Sequence, residues 1–257
     1  MPLTGGGTRA VTPVPVRALL VRGLLAGLGA GLLALAVAYL LGEPHVDAAI
    51  AFEEAHEHGH GGGQPVGRTL QSTAGLATAV LVYGVALGGI AALAFCVALG
   101  RVGRFGPRAT AALVSGGALL ALYVVPFLKY PANPPSVGDP DTIDRRTALY
   151  FLMIVLSVLL SVGAVVLGRA LLPRLGGWNA AVAAGAALLV AVGLAYAFLP
   201  PVDEVPDGFP ADVLWRFRLA ALAVQGTLWA GFGLLFGRLA ERLLVPGAVR
   251  SRPLTAP

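Results

Sequence analysis

Charged residues are scarce in this chain, and their scarcity excludes a soluble globular domain. Asp, Glu, Lys and Arg make up 12% of the 257 residues, whereas a soluble domain carries about 25%. Hydrophobic residues make up 57%, and the mean hydropathy is +0.80. Too few polar side chains remain to face water, so the composition predicts one membrane domain whose solvent is the lipid bilayer.

Other absences narrow the class of protein further. Cys96 is the single cysteine of the sequence, so an internal disulfide is excluded. The sequence contains no Walker motif, no glycine-rich strand-to-helix turn and no Ser/His/Asp set, so neither ATP hydrolysis nor another enzymatic activity is expected. The net charge of +5 comes from bases scattered through short loops, a pattern of membrane orientation that does not suggest nucleic acid binding.

Six apolar runs are long enough to cross a bilayer. They predict an all-α bundle of six transmembrane helices within a membrane domain at 16–241, at about residues 16–41, 69–99, 109–128, 147–172, 178–199 and 213–239. We expect residues 1–15 and 242–257 to be disordered cytoplasmic tails. A cleaved signal peptide is the alternative for the first run, ending near Ala36-Val37-Ala38. A five-span protein would need one segment to be cleaved or to lie in the interface.

The charges divide between the two sides of these six spans. The side with both termini collects twelve of the eighteen bases, and the other side collects twelve of the thirteen acids. The positive-inside rule then places both termini in the cytoplasm and three acidic loops on the outer face.

All four histidines lie in the first of these acidic loops, between Glu43 and His60. Imidazole and carboxylate groups are ligands of divalent transition metals, and His-rich tracts are a compositional signal for metal binding. The alternative is a solvated, flexible connector. The candidate metal ligands are Glu43, His45, Asp47, Glu53, Glu54, His56, Glu57, His58 and His60.

The other two acidic loops are rich in proline and are flanked by bases. Proline fixes the backbone and lacks an amide donor, which favours rigid loops. One hypothesis is a gate between these two loops, in which acids attract a cation and bases hold the closed form. The alternative is a set of structural salt bridges at the membrane rim. The candidate gate residues are Lys129, Asp139, Asp141, Arg146, Glu204, Arg216 and Arg218.

Four strings carry a resemblance to a known family. They are Glu43 to Glu53, Pro126 to Pro135, Val137 to Ile143 with Arg146 to Tyr150, and Glu204 to Arg218. Together they resemble the CbtA family, the proposed cobalt transporter subunit, over about residues 17–242. The resemblance implies a bacterial inner-membrane protein that supplies cobalt for cobalamin synthesis. It also implies a CbtB partner, a small one-span protein with histidines near its end. The family is described with five spans, whereas the apolar runs and the charge asymmetry of this sequence favour six.

Two functions follow as hypotheses. The first is transmembrane transport of a divalent transition-metal ion, with cobalt preferred and nickel as the other candidate, and with metal capture by the His-rich loop. The second is a non-transporting accessory subunit that binds metal and serves a partner permease. The lipid bilayer and a CbtB-type protein are the expected partners, and homo-oligomerisation stays open.

Overall fold

The computed structural model describes residues 15–56, 67–135, 137–138, 142–202, 204–206 and 208–245. Within these ranges the chain forms helices and no strands, which confirms the all-α expectation. Three π-helical segments, Ala38–Gly42, Gln71–Gly75 and Leu119–Val124, continue one helix into the next. The α-helices are α1 (Val16–Val37), α2 (Glu43–His56), α3 (Arg68–Leu70), α4 (Leu76–Ala98), α5 (Pro107–Ala118), α6 (Val125–Lys129), α7 (Ile143–Phe198) and α8 (Ala211–Leu244).

Five continuous helices in the described part of the chain are long and apolar enough to cross a membrane. They are Val16–Ala55, Arg68–Ala98, Pro107–Lys129, Ile143–Phe198 and Ala211–Leu244. The predicted runs 147–172 and 178–199 both fall within the fourth of these helices. The sequence therefore places a helix at each apolar run, while the structure joins two of the runs.

Two of the π-helical segments come directly before a proline. Ala38–Gly42 precedes Pro44, and Leu119–Val124 precedes Pro126. A proline ring lacks the amide donor and clashes with the carbonyl four residues earlier. Widening the preceding turn relieves that clash, so the helix continues past the proline instead of breaking.

The backbones of α1 and α4 approach each other through glycines on facing sides. A methyl group placed on Gly27 would lie 2.3 Å from the carbonyl oxygen of Gly84, and one on Gly88 would lie 2.5 Å from the carbonyl oxygen of Gly23. Both distances are far below van der Waals contact with rigid backbone. Membrane helices associate by such close packing, because burying apolar side chains away from lipid supplies little driving force.

The buried core of the molecule lies between α1, α4, α5 and α8. Its centre is aromatic, with the Phe95 ring edge-on to Phe236 at 5.0 Å and Phe232 stacked on Phe236 at 5.1 Å. Small residues of α1, such as Ala26 and Ala30, surround these rings. These four helices therefore form the packed body of the protein.

The long helix α7 is bent back on itself. A straight helix of 56 residues would extend about 84 Å, against a hydrocarbon core of about 30 Å. Gly176 interrupts it at φ 72° and ψ 172°, three residues after Pro173. A methyl group on Gly168 would lie 3.3 Å from Cβ of Ala184, although these residues stand eight positions before and after the break. The two arms of α7 therefore lie side by side.

The arms of α7 contact the body mainly through α6 and the π-helical segment before it. In the most apolar 18-residue stretch of α7, 11% is buried inside the protein, compared with 28–33% in the corresponding stretches of the other four long helices. A helix that is apolar all round and scarcely covered by protein is suited to a lipid surrounding. The α7 hairpin therefore stands at the periphery of the bundle.

The first acidic segment is helical where the sequence predicts a loop. The helix that starts at Val16 continues through α2 to His56, with only the π-helical widening between them. The prediction of a loop from Glu43 onward was wrong as far as His56, because the segment is rich in Ala and Glu, which form helices readily. Its packing on other loops, described below, also holds it in place. Residues 57–66 lie outside the described ranges.

Helix α2 and the segments 130–142 and 199–210 meet at one end of the molecule. We call this end the loop end. The opposite end is marked by an ion pair between Arg108 of α5 and Glu241 of α8, with Nη2 and Oε2 2.5 Å apart. This pair fixes the start of one helix against the last turn of another.

The glycine contact predicts opposite effects for two matched substitutions. Gly27→Ala should lower the free energy of unfolding by about 1–3 kcal/mol, because the methyl group overpacks rigid backbone. Gly163→Ala on α7, where nothing lies within 4 Å, should be neutral or stabilising by up to about 1 kcal/mol through helix propensity. Thermal unfolding of the purified protein in detergent measures both. Equal effects of the two substitutions would contradict the contact.

Candidate functional site

Two of the candidate metal ligands in α2 are bound to an arginine. Arg68 of α3 donates from Nε to Oδ1 of Asp47 at 2.9 Å and also pairs with Glu43. Glu43 and Asp47 stand four residues apart, so one turn of helix places both carboxylates on the face that Arg68 approaches. This triad joins α2 to the start of the next long helix, so these acids have a structural partner.

The other candidate ligands are spread along α2 and beyond it. His45 and His56 are eleven residues apart, which separates their backbones by about 16 Å along the helix. Within the described residues, no group of three or more His, Cys, Asp or Glu side chains is arranged to hold a metal ion. Glu57, His58 and His60 lie outside the described ranges. Glu53 is half-buried and Glu54 is exposed, near the end of α2.

Helix α2 is held against the two other loops by a small apolar cluster. Ala49, Val137 and Phe209 are buried together, and the Phe52 ring meets Phe209 edge-on at 5.0 Å. The end of α2 at His56 lies one turn beyond Phe52. This packing holds the last described turn of α2, which precedes the rest of the histidine tract in the sequence.

A buried carboxylate joins the second and third acidic loops. The side chain of Glu204 is 2% exposed, and it accepts a hydrogen bond from Thr142 Oγ1 at 2.6 Å and another from Arg146 Nη1 at 2.5 Å. A carboxylate out of water needs such donors and a counter-charge. Gly138, at φ 146°, lies against the pair, where a methyl group would come within 3.4 Å of Arg146.

Beside this ion pair lies a cavity of about 470 Å³ at the loop end of the bundle. Its walls come from segments that are far apart in the sequence: the end of the third long helix, the loop after it, the start of α7, the loop before α8, and α8 itself. Its charged and amide groups are Arg146, Glu204, Arg218 and Asn133. Tyr123, Phe127, Tyr130, Tyr150 and Phe151 supply aromatic walls.

Two of the remaining gate candidates, Lys129 and Arg218, bind groups on other segments. Lys129 donates to the carbonyl oxygen of Tyr196 at 2.9 Å. Arg218 donates from Nη2 to Asn133 Oδ1 at 3.0 Å. The described partners of Lys129, Arg146 and Arg218 therefore lie on other segments of the chain. Arg216 is exposed, and Asp139 and Asp141 lie outside the described ranges.

Two tyrosines hold the cavity walls in place. Tyr130 donates its hydroxyl to the carbonyl oxygen of Pro200 at 2.9 Å, and Tyr196 donates to the carbonyl oxygen of Val125. Burial raises the pKa of Tyr130, an effect that the nearby Arg145 partly opposes. Tyr130 therefore keeps its proton at neutral pH and remains a donor.

Sequence reasoning did not identify Thr142, Asn133, Tyr130 and Tyr150 as parts of this site. Each is a neutral polar residue within or beside a proline-rich loop or a helix end. At such positions charged residues give a stronger signal in the sequence. The available signal was the position of these residues inside the strings that carry the family resemblance.

Comparisons with known proteins add one finding. No curated protein and no solved structure matches this chain. The family model described as "Probable cobalt transporter subunit (CbtA)" matches residues 16–241. This range contains four of the five long helices, all but the last three residues of the fifth, the Glu204–Arg146 ion pair and the cavity. Transporter subunits are not a class of enzyme. The word subunit in the family description implies a partner. The chain belongs to the CbtA family of probable cobalt transporter subunits and is an integral membrane protein.

Proposed function

We propose that this protein carries a divalent transition-metal ion, cobalt in preference to nickel, across the bacterial inner membrane for cobalamin synthesis. The observation that carries the proposal is the cavity at the loop end, since it lies within the matched range and eleven of its fourteen lining residues belong to the strings that carry the family resemblance. The cavity is the entrance of the path, and the ion pair between Arg146 and Glu204 stands at its side.

The proposed topology has six crossings with both termini in the cytoplasm. The bend at Gly176 and the contact between Gly168 and Ala184 support counting α7 as two crossings. The distribution of twelve of eighteen bases and twelve of thirteen acids to opposite sides supports the orientation. The loop end then faces outward, toward the source of metal.

Capture of the metal falls to the acidic and histidine-rich segment at the end of α2. The contact of Phe52 with Phe209 supports this role, because it anchors the end of α2 beside the loop that also carries Glu204. Since Glu43 and Asp47 are bound to Arg68, the proposed capture group is Glu53, Glu54, His56, Glu57, His58 and His60. Glu43 and Asp47 anchor the helix instead, and His45 stands apart from this group.

A second candidate is an accessory subunit that binds metal and passes it to a partner permease. The scarcely covered α7 hairpin favours it, because such an apolar surface suits either lipid or the helix of a membrane partner. A small one-span protein of CbtB type has the chemistry for that contact.

Cobalt uptake tests the two candidates. Cells that lack other cobalt uptake systems should accumulate cobalt when they express this protein with its partner, and the His56→Ala/His58→Ala/His60→Ala variant should lower uptake several-fold at low cobalt but much less at high cobalt. The reason is that the capture group raises the local concentration of cobalt at the protein and does not itself form the path across the membrane. Purified protein that moves cobalt into liposomes alone would exclude the accessory role. Uptake that does not depend on the protein, with or without its partner, would overturn both.

Cysteine labelling tests the topology. In a Cys96→Ala background, Pro135→Cys should react with a membrane-impermeant maleimide in spheroplasts, because the exposed Pro135 lies in an outer loop. Leu175→Cys, beside the bend of α7, should react only after permeabilisation. Total labelling in permeabilised membranes controls for the amount of protein. Reaction of Leu175→Cys in intact spheroplasts would contradict the six-span arrangement.

The gate hypothesis makes opposite predictions for the two partners of one ion pair. Arg146→Gln should raise cobalt uptake per folded molecule several-fold, because it frees the Glu204 carboxylate and loosens the closed form. Glu204→Gln should lower it several-fold, because it removes the charge that attracts the cation. Arg216→Gln, an exposed base at the same end, should change little. If both pair variants change uptake equally, the pair only fastens the loops together.

A further inference from the structure

Three polar atoms are buried without a hydrogen-bond partner among the described residues. They are Oγ of Ser115, Oγ of Ser157 and Oε1 of Gln225. All three belong to long apolar helices, where no water of the bilayer core can satisfy them. An unsatisfied buried polar group is costly, so each calls for a physical reason.

Two of these atoms lie below the cavity on the faces that line it. Gln225 follows the cavity residue Arg218 by seven positions on α8, and Ser157 follows the cavity residue Tyr150 by seven positions on α7. Seven residues are about two turns, so each lies on the same helix face about 10.5 Å farther from the loop end. Two independent helices thus bring an unpartnered oxygen to a similar depth beneath one cavity.

A cluster of tyrosines connects the cavity with this level. Tyr123 and Tyr150 both line the cavity, and their phenols lie near enough to that of Tyr83 on α4 to interact with it electrostatically. Tyr83 in turn forms a side-chain hydrogen bond with Gln225. Tyrosine hydroxyls therefore lie both at the cavity wall and beside the amide of Gln225.

The hydrogen bond to Tyr83 does not satisfy the amide completely. If Gln225 donates from its nitrogen to the phenol, Oε1 is left over; if the amide is flipped, the nitrogen loses that partner instead. Tyr83 is 46% exposed, which places it at the surface of the bundle, and its hydroxyl is directed toward Gln225 of α8. Tyr83 thus closes the side of the cluster that faces the membrane.

The chemistry of this cluster suits a particular ligand. Its groups are hydroxyls and one amide, all neutral, and no fixed charge stands among them. Neutral oxygens can replace some of the water around a divalent cation, while the water that the cation keeps donates hydrogen bonds to the same oxygens. Such ligands bind weakly enough for the ion to leave again, which conduction requires.

We infer that Gln225 and Ser157, together with the phenols of Tyr83, Tyr123 and Tyr150, form a second cation site below the cavity, which holds a partly hydrated divalent ion during its passage. This inference rests on the proposed transport function and adds the position and chemistry of the path within the membrane. The site shares Tyr123 and Tyr150 with the wall of the cavity, and Gln225 and Ser157 extend it away from the loop end.

The test replaces the orphan amide by an apolar side chain of similar size. Gln225→Leu should lower cobalt uptake at least tenfold, in cells where the wild-type protein and its partner support uptake, while the thermal unfolding midpoint changes little. The substitution removes an unsatisfied oxygen and also the hydrogen bond to Tyr83, and these two effects on stability offset each other. The control is Thr227→Val, a near-isosteric change two residues along α8 and on the opposite helix face. It should leave both cobalt uptake and the unfolding midpoint unchanged.

A second pair of variants keeps the inference testable if Gln225→Leu does not reach the membrane. Ser157→Ala and Tyr83→Phe each remove one oxygen and should each lower uptake several-fold. If Gln225→Leu is folded and transports cobalt like the wild type, or if both smaller changes leave uptake unaltered, the second site is overturned while the transport function stands. A wild-type protein that moves no cobalt would overturn both.

Discussion

The close approach of the α1 and α4 backbones is the constraint on which the rest of the arrangement depends. No side chain larger than hydrogen fits at the contacts of Gly27 and Gly88. Because lipid is as apolar as the helix surfaces, this contact has to hold through geometric fit and dispersion. The α1–α4 pair then offers one shared surface on which α5 and α8 pack around Phe95 and Phe236. That body determines where the ends of its helices emerge.

At the loop end, ion pairs and hydrogen bonds hold the segments together. Water is available there, so charged and polar groups can be placed without the penalty of the bilayer core. Arg68 ties α2 to the start of the second long helix, and the Glu204–Arg146 pair ties the loop before α8 to the start of α7. Packed glycines therefore order the interior, while ion pairs and hydrogen bonds order the surface that carries the cavity.

The position of the apolar helices could be predicted from the sequence, because a run of about 20 apolar residues has few other solutions. The pairing of the loops could not. Five bases stand in or beside the same two loops as potential partners of Glu204, and its choice of Arg146 and Thr142 depends on helix packing far away in the sequence. The helical state of Glu43–His56 was also missed, although its Ala and Glu residues favour a helix; the contact of Phe52 with Phe209 that holds this helix in place joins segments far apart in the sequence. The histidine tract that gave the clearest sequence signal lies largely at 57–60, outside the described ranges.

In the proposed path, the separation of charged and neutral polar groups matches what a moving divalent cation needs. Carboxylates at the rim would raise its local concentration, and they can remain hydrated there. A carboxylate placed at the depth of Gln225 would be costly to bury and would hold the ion too firmly to release it. Amide and hydroxyl oxygens avoid both effects, so the buried oxygens of Gln225 and Ser157 suit the proposed second site better than charged groups would.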